Sequence, residues 1–128
     1  MSTTTNLKLP EIAVGQSQKE TTHNAALTIL DKVLGTKLDI AVTAADVTLT
    51  DSQHDGAVYF KFTDTMTAPR AVIFQGRGKL AMVEHAAAGS HNITLKSGSG
   101  AGATVTLAPG DIKMIYVDGA NNAVIKPT

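Results

Sequence analysis

The spacing of apolar residues changes near residue 45, from intervals of three and four positions to an alternation of apolar and polar residues. Before that point, residues 16–34 carry apolar side chains at helical spacing, which predicts an amphipathic helix. Ser17 followed by Glu20 matches the capping box that begins many helices, and Gly35 stands where a helix is expected to stop. The predicted apolar stripe consists of Ala26, Leu27, Leu30, Val33 and Leu34.

A short arm precedes the helix, and its apolar residues alternate with polar ones around Pro10: Leu7, Leu9 and Ile12. This alternation predicts an extended segment that ends at Gly15. The arm and the helix together carry more apolar surface than they can bury between them. We therefore expect both to pack either across the protein's own β domain or against a neighbouring subunit.

After residue 45 the alternation is that of strands with one buried face. Turn-forming pairs such as Asp55-Gly56, Pro109-Gly110 and Asp118-Gly119 separate the runs. About eight short strands spaced near ten residues apart are typical of a β-sandwich or jelly roll, and no repeat indicates a solenoid. The predicted strands are residues 46–50, 57–63, 70–75, 79–85, 92–96, 103–107, 112–117 and 123–126.

The pattern as a whole predicts a mainly β protein in two parts. Residues 1–44 form an N-terminal arm and α-helix, which we interpret as a docking segment. Residues 45–128 form a compact β-sandwich of jelly-roll type with about eight strands. Aromatic residues make up only 4% of the chain and Trp is absent, so we expect a core of Val, Ile, Leu and Ala.

The charge distribution excludes several classes of partner. Eleven basic and eleven acidic residues give a formal net charge of +0, and no basic run exists that could bind nucleic acid. No apolar stretch approaches the roughly 18 residues of a membrane span. Without Cys the chain has neither disulfides nor thiolate sites. The first ten residues lack the features of a signal peptide, so we expect synthesis in the cytoplasm.

The motifs tested for chemistry favour a protein that is not an enzyme and needs no cofactor or metal. The glycine-rich residues 97–102 lack the Lys of a phosphate-binding loop and lie between two strands, which favours a hairpin loop. No Gly-x-Ser-x-Gly elbow exists, and the histidines form no i, i+4 pair. Around His85 and His91 a solvated loop is favoured, although a three-fold assembly could bring one His per chain together.

Residues 7–27 resemble the opening of a domain family of unknown function found in phages, prophages and gene transfer agents. That family has a Leu-x-Leu-Pro arm, then Gln-x-Gln-Lys-(Glu/His)-x-Thr-His-Asn-x-Ala-Leu, then an amphipathic helix; residues 16–27 here read QSQKETTHNAAL. Its members are particle appendages such as head spikes and tail fibres, so the resemblance implies a docking module. The implied contact residues are Leu7, Leu9, Ile12, Gln16, Gln18, Lys19, Thr22, His23, Asn24 and Leu27.

Residues 70–126 are similar to the small β domains of phage fibre and appendage proteins, through residues 92–96, 105–110 and 115–119. Longer relatives continue into a receptor-binding extension, which we do not expect after residue 128 here. The resemblance therefore implies a structural virion protein, the base or adaptor of a head spike, neck or tail fibre. We expect other phage structural proteins as partners and a homo-oligomer, with a trimer favoured.

Two further hypotheses remain open. A carbohydrate-binding module would contact a host surface glycan through loops that carry His54, Arg77 and His91. The shortage of aromatic residues disfavours it, since Tyr59 and Tyr116 are the only tyrosines and Trp is absent. A capsid decoration protein, or cement protein, would use the same β domain across capsomer junctions.

Overall fold

The computed structural model describes residues 3–4, 8–12 and 15–126, which form two α-helices, one 3₁₀ turn and nine strands. The helical segments are α1 (Lys19–Gly35), α2 (Asp51–Asp55) and the 3₁₀ turn Gly119–Asn121. The strands are β1 (Lys37–Ala41), β2 (Val47–Thr48), β3 (Tyr59–Thr63), β4 (Arg70–Phe74), β5 (Lys79–His85), β6 (Ile93–Ser97), β7 (Val105–Leu107), β8 (Ile112–Asp118) and β9 (Ala123–Ile125).

The strands form two sheets that face each other across the core. The five-stranded sheet has the order β1-β3-β5-β8-β9, and the four-stranded sheet has the order β2-β4-β6-β7. Phe60 on β3 meets Phe74 on β4 edge to face, with ring centroids 5.3 Å apart, so the aromatic side chains bridge the two sheets. The predicted mainly β class, with an N-terminal helix and two packed sheets, is confirmed.

The connectivity differs from the antiparallel pairing of a jelly roll. From β1 to β6 the chain alternates between the sheets, and each strand pairs in parallel with the strand two places earlier. One winding takes 22 to 25 residues, and β7, β8 and β9 close the structure with antiparallel pairs. This is a short solenoid. The sequence shows no repeat at this spacing, because outward-facing residues that stack on one another, such as Lys37, Tyr59 and Met82, differ in type.

All eight predicted strands are present, and one strand and one helix were missed. The strand is β1, in which Ile40 is buried between exposed neighbours. Its alternation is only five residues long and follows the helix directly, so it was assigned to the N-terminal segment. The five-stranded sheet therefore begins at Lys37, before the change of pattern at residue 45. The helix is α2, which is too short for a periodic signal.

The capping box lies at α2 and not at α1. Thr50 accepts a hydrogen bond from the Gln53 backbone N–H, and the Gln53 side chain accepts one from the Thr50 N–H. At α1 the N-cap is Gln18, in the left-handed region with φ of 56°, and its side chain makes no capping bond. The prediction of Ser17 as N-cap was therefore wrong. The sequence spacing fits, but the chain enters the helix one residue later.

The described arm residues fold back on themselves and are not extended throughout. Thr4 and Leu9 exchange hydrogen bonds, with the Thr4 N–H donating to the Leu9 carbonyl at 3.0 Å. Thr3 and Pro10 form an antiparallel bridge. Lys8 adopts φ of 55°, in the left-handed region that tight turns use. Leu7 lies outside the described residues.

The core contains every Phe of the chain in addition to the expected aliphatic residues. Phe60, Phe62 and Phe74 are completely buried and are the largest side chains of the core. They pack with aliphatic residues from both sheets, for example Val83 and Leu95. The expectation of a core built on Val, Ile, Leu and Ala was therefore incomplete, because few aromatic residues can still occupy the centre.

Candidate functional site

Helix α1 is attached loosely to the rest of the protein. Among its residues only Thr22 is buried. Of the predicted stripe, Ala26, Leu30 and Val33 are half-buried and face the protein. Leu34 is 70% exposed and Leu27 is 49% exposed, so two leucines seven positions apart lie on the outer side. The helix thus presents apolar surface in two directions, only one of which the chain itself covers.

The implied docking residues fall on both sides of this helix. Gln18, Lys19, His23 and Asn24 are exposed. Thr22 points inward, where its hydroxyl accepts a hydrogen bond from the Gln16 side chain. The exposed polar residues and Leu27 therefore form one outward surface, which we call the outer helix surface: Gln18, Lys19, His23, Asn24, Leu27 and Leu34.

The arm contributes less exposed surface than the helix. Leu9 is half-buried and Ile12 is 49% exposed. The arm also approaches α2, since Lys8 lines a cleft of about 140 Å³ together with Ser52 and Asp55 of α2 and Ile29 of α1. Arm, α1 and α2 therefore meet at one end of the molecule.

A second surface, which the sequence did not suggest, is the outer face of the five-stranded sheet. Its exposed side chains come from β5, β8 and β9, and the strand register sets them in cross-strand rows. We call this surface the apolar face; it consists of Tyr59, Leu80, Met82, Ile112, Met114, Tyr116 and Ile125. Among the described residues, every exposed large apolar side chain lies on the arm, on α1 or on this face.

The apolar face arises because β5 and β8 carry apolar residues on both of their sides. In β8, Ile115 and Val117 are buried in the core while Met114 and Tyr116 point outward. Apolar residues at successive positions of a strand, pointing to both sides of the sheet, are typical of a strand that is covered on both faces. The continuous apolar run 114–117 is a sequence signal that could have revealed this surface.

A groove connects the two surfaces. Val33 and Leu34 at the end of α1 form one wall, and Leu80 and Tyr116 of the apolar face form the other, around a space of about 350 Å³. Apolar surface therefore continues from the helix onto the sheet.

The loop residues proposed for ligand binding lie in two places. His54, in α2, lies close to Arg77, in the turn after β4. Arg77 is bound to two carboxylates, with nitrogen–oxygen distances of 2.8 Å to Asp51 and 2.8 Å to Asp55. His91 lies at the opposite end of the four-stranded sheet, where its carbonyl oxygen is 2.6 Å from His85 Nε2. The three residues therefore do not converge on one site.

Burial determines the protonation of the groups around Arg77. Desolvation, together with the positive charges of Arg77 and Lys79, lowers the pKa of His54 to about 4. Desolvation also lowers the pKa of the buried Lys79 to about 8, and its ammonium lies 5.6 Å from the centroid of the Phe60 ring. These groups contact one another or the core, which is the arrangement of a cluster that holds α2 in place.

Within the described part of the chain, no group of three or more His, Asp or Glu side chains is placed to hold a metal ion. No helix of that part is long and apolar enough to cross a membrane. Comparison of the chain with protein-family models, with curated proteins and with solved structures gave no match. What the protein does must therefore be inferred from its own outer helix surface and apolar face.

Proposed function

We propose that this chain is a non-enzymatic structural protein of a tailed bacteriophage particle. It serves as the base or adaptor of a head spike, neck or tail fibre, and its N-terminal arm and helix attach it to other proteins of the particle. The single observation that carries the proposal is the exposure of α1, which has one buried residue in seventeen. A helix held so weakly by its own domain is suited to a partner that covers its other side.

The outer helix surface has the composition of a contact site. Leu27 and Leu34 lie on one side of the helix, and covering each of these exposed leucines contributes about 1 kcal/mol or more. His23 and Asn24 border Leu27 and offer hydrogen-bonding groups that fix the register of a partner. The same positions belong to the Gln-x-Gln-Lys signature shared with phage appendage proteins, which is why a phage particle is the proposed partner.

The charged cluster supports a structural role over a catalytic one. Arg77 is satisfied by Asp51 and Asp55, and the His54 Nδ1 atom accepts the Gln75 backbone N–H at 3.2 Å. Groups engaged in this way hold α2 against the turn after β4. The glycan-binding hypothesis gains no support, because Tyr59 and Tyr116 lie on the apolar face and not beside the loops.

A capsid decoration role remains the second candidate. The observation that favours it is that the chain exposes large apolar side chains both on the outer helix surface and on the apolar face. A protein that binds across a junction between capsomers needs contacts on more than one side. The two roles differ in where the protein lies on the particle, on the shell lattice or at a spike, neck or fibre base.

The proposal is tested by measuring how much of the protein remains on purified particles. The triple variant His23→Ala, Asn24→Ala, Leu27→Asp should lower the affinity for the particle on the order of tenfold or more, because it removes polar and apolar contacts together. Because all three residues are exposed, the variant should keep the thermal midpoint of the wild type.

The matched control replaces two exposed residues in and just before β7 of the four-stranded sheet, Thr104→Ala and Thr106→Ala. This control should bind particles as the wild type does. Unchanged particle occupancy of the triple variant would show that α1 is not the attachment site.

A further inference from the structure

We propose that the apolar face of the five-stranded sheet is the surface through which this chain binds the same face of a second copy of itself. This inference goes beyond the proposed function, because it concerns a different surface from the outer helix surface. It would hold for any role in which several copies of the chain act together.

The residue types on the apolar face are those of an interface core. Both tyrosines of the chain, Tyr59 and Tyr116, lie there, and so do two of its four methionines, Met82 and Met114. Tyr and Met are enriched in protein interfaces, whereas Phe is the aromatic residue type buried in the core of this protein. The chain thus divides its few aromatic residues between the core and this outer face.

The size of the face approaches what a stable contact requires. Leu80, Ile112, Met114, Tyr116 and Ile125 are each between 46% and 61% exposed. Five side chains of this size present on the order of 500 Å² together, near the upper end for the largest patch of a monomer. A standard interface takes about 800 Å² from each partner. Half-buried Tyr59 and Met82 extend the face toward that area.

The charges at the border of the face favour a second copy over a partner of one strong charge. On the side of β1 and β3 the register sets Lys61 between Asp39 and Glu84, so both signs alternate there. In a two-fold symmetric pair, the acidic residues of such a border can face the basic residue of the second copy. A partner of one strong charge would instead meet residues of like charge along part of this border. Glu84 is already held by a hydrogen bond from the Tyr59 hydroxyl at 2.6 Å.

The geometry of the sheet also suits contact face to face. The apolar side chains lie on the inner strands β5 and β8 as well as on the edge strand β9, so they project from the middle of the sheet. Two sheets that meet through such faces pack about 10 Å apart with interleaved side chains. The contact therefore needs no new strand pairing at an edge.

The test is the solution mass, measured by light scattering coupled to size exclusion. We expect a mass of at least twice 13.3 kDa for the wild type. Met114→Lys, which places a charge in the middle of the face, should reduce the mass to 13.3 kDa. The control Thr106→Lys changes the exposed residue of β7, in the four-stranded sheet, and should keep the wild-type mass. A monomeric wild type, or an oligomer that Met114→Lys leaves intact, would overturn the proposal.

A second variant keeps the proposal testable if Met114→Lys fails to fold. The natural chain contains no Cys, so one introduced thiol reports on one position. Met114→Cys should form a covalent dimer under mild oxidation, and Thr106→Cys should remain a monomer. Equal crosslinking of both variants would contradict contact through the apolar face. Because the helix variants leave this face intact, loss of particle binding and loss of self-association are distinguished.

Discussion

The imidazole of His54 lies at the end of β4, almost completely buried, with its ring centroid 5.9 Å from that of Phe74. Its pKa is about 4 in the folded protein, against 6.5 for an ordinary histidine. Because the folded pKa lies below the unfolded one, the unfolded chain binds the proton first as the pH falls. Above pH 6.5 His54 is neutral in both states and does not change the free energy of unfolding. Below pH 6.5 the unfolded chain is stabilised by binding a proton at His54, so the free energy of unfolding falls.

We predict that the free energy of unfolding falls between pH 6.5 and pH 4, by up to about 3 kcal/mol from this residue. His54→Gln removes the titrating group and should flatten the dependence in that window. His23→Gln, on the exposed side of α1, should leave it unchanged. Urea denaturation at several pH values measures the slope. A slope in His54→Gln as steep as in the wild type would show that other groups titrate there.

At the scale of the elements, the two helices begin in different ways. Helix α2 has a complete capping box between Thr50 and Gln53, whereas the N-cap residue of α1, Gln18, makes no side-chain capping bond. A capping bond satisfies a backbone N–H that the first turn of a helix leaves without an intrahelical partner. Replacing the N-cap residue should therefore destabilise α2 more than it destabilises α1.

We predict that Thr50→Ala lowers the free energy of unfolding by about 1 kcal/mol. Ser17→Ala, at the position where the sequence predicts a cap, should change it by less than about 0.5 kcal/mol because no capping bond is lost. Thermal and urea denaturation of the two variants give the comparison. Equal losses in both would mean that Ser17 caps α1 in solution.

The sequence predicts these elements well where the signal is local. Alternation of apolar residues located all eight expected strands, and helical spacing located α1. It missed β1 because this strand follows α1 directly, before the change of pattern at residue 45, and was assigned to the N-terminal segment. It could not predict the parallel winding, because outward-facing stacked residues such as Lys37 and Tyr59 differ in type, and inward-facing ones share only the apolar character of any buried strand. That His54 and Arg77 meet follows from the fold and not from their separation in sequence.

At the scale of the whole molecule, the chain combines a firmly packed solenoid with surfaces that it does not cover itself. The core joins both sheets through fully buried Phe60, Phe62 and Phe74. The outer helix surface and the apolar face carry the exposed large apolar residues of the described helix and sheet. The apolar face was not predicted, because period-two alternation does not reveal that both sides of β8 are apolar. A protein that exposes apolar side chains on both its helix and its sheet is suited to assembly.

Attachment through α1 is tested most directly by hydrogen–deuterium exchange of the protein, free and bound to the particle. In the free protein the amides of α1 should exchange faster than those of β3 and β5, because little of the helix is buried. On the particle the α1 amides should become protected by about tenfold or more, the factor that 1.4 kcal/mol produces. Unchanged exchange in α1, with protection gained elsewhere, would contradict attachment through the helix.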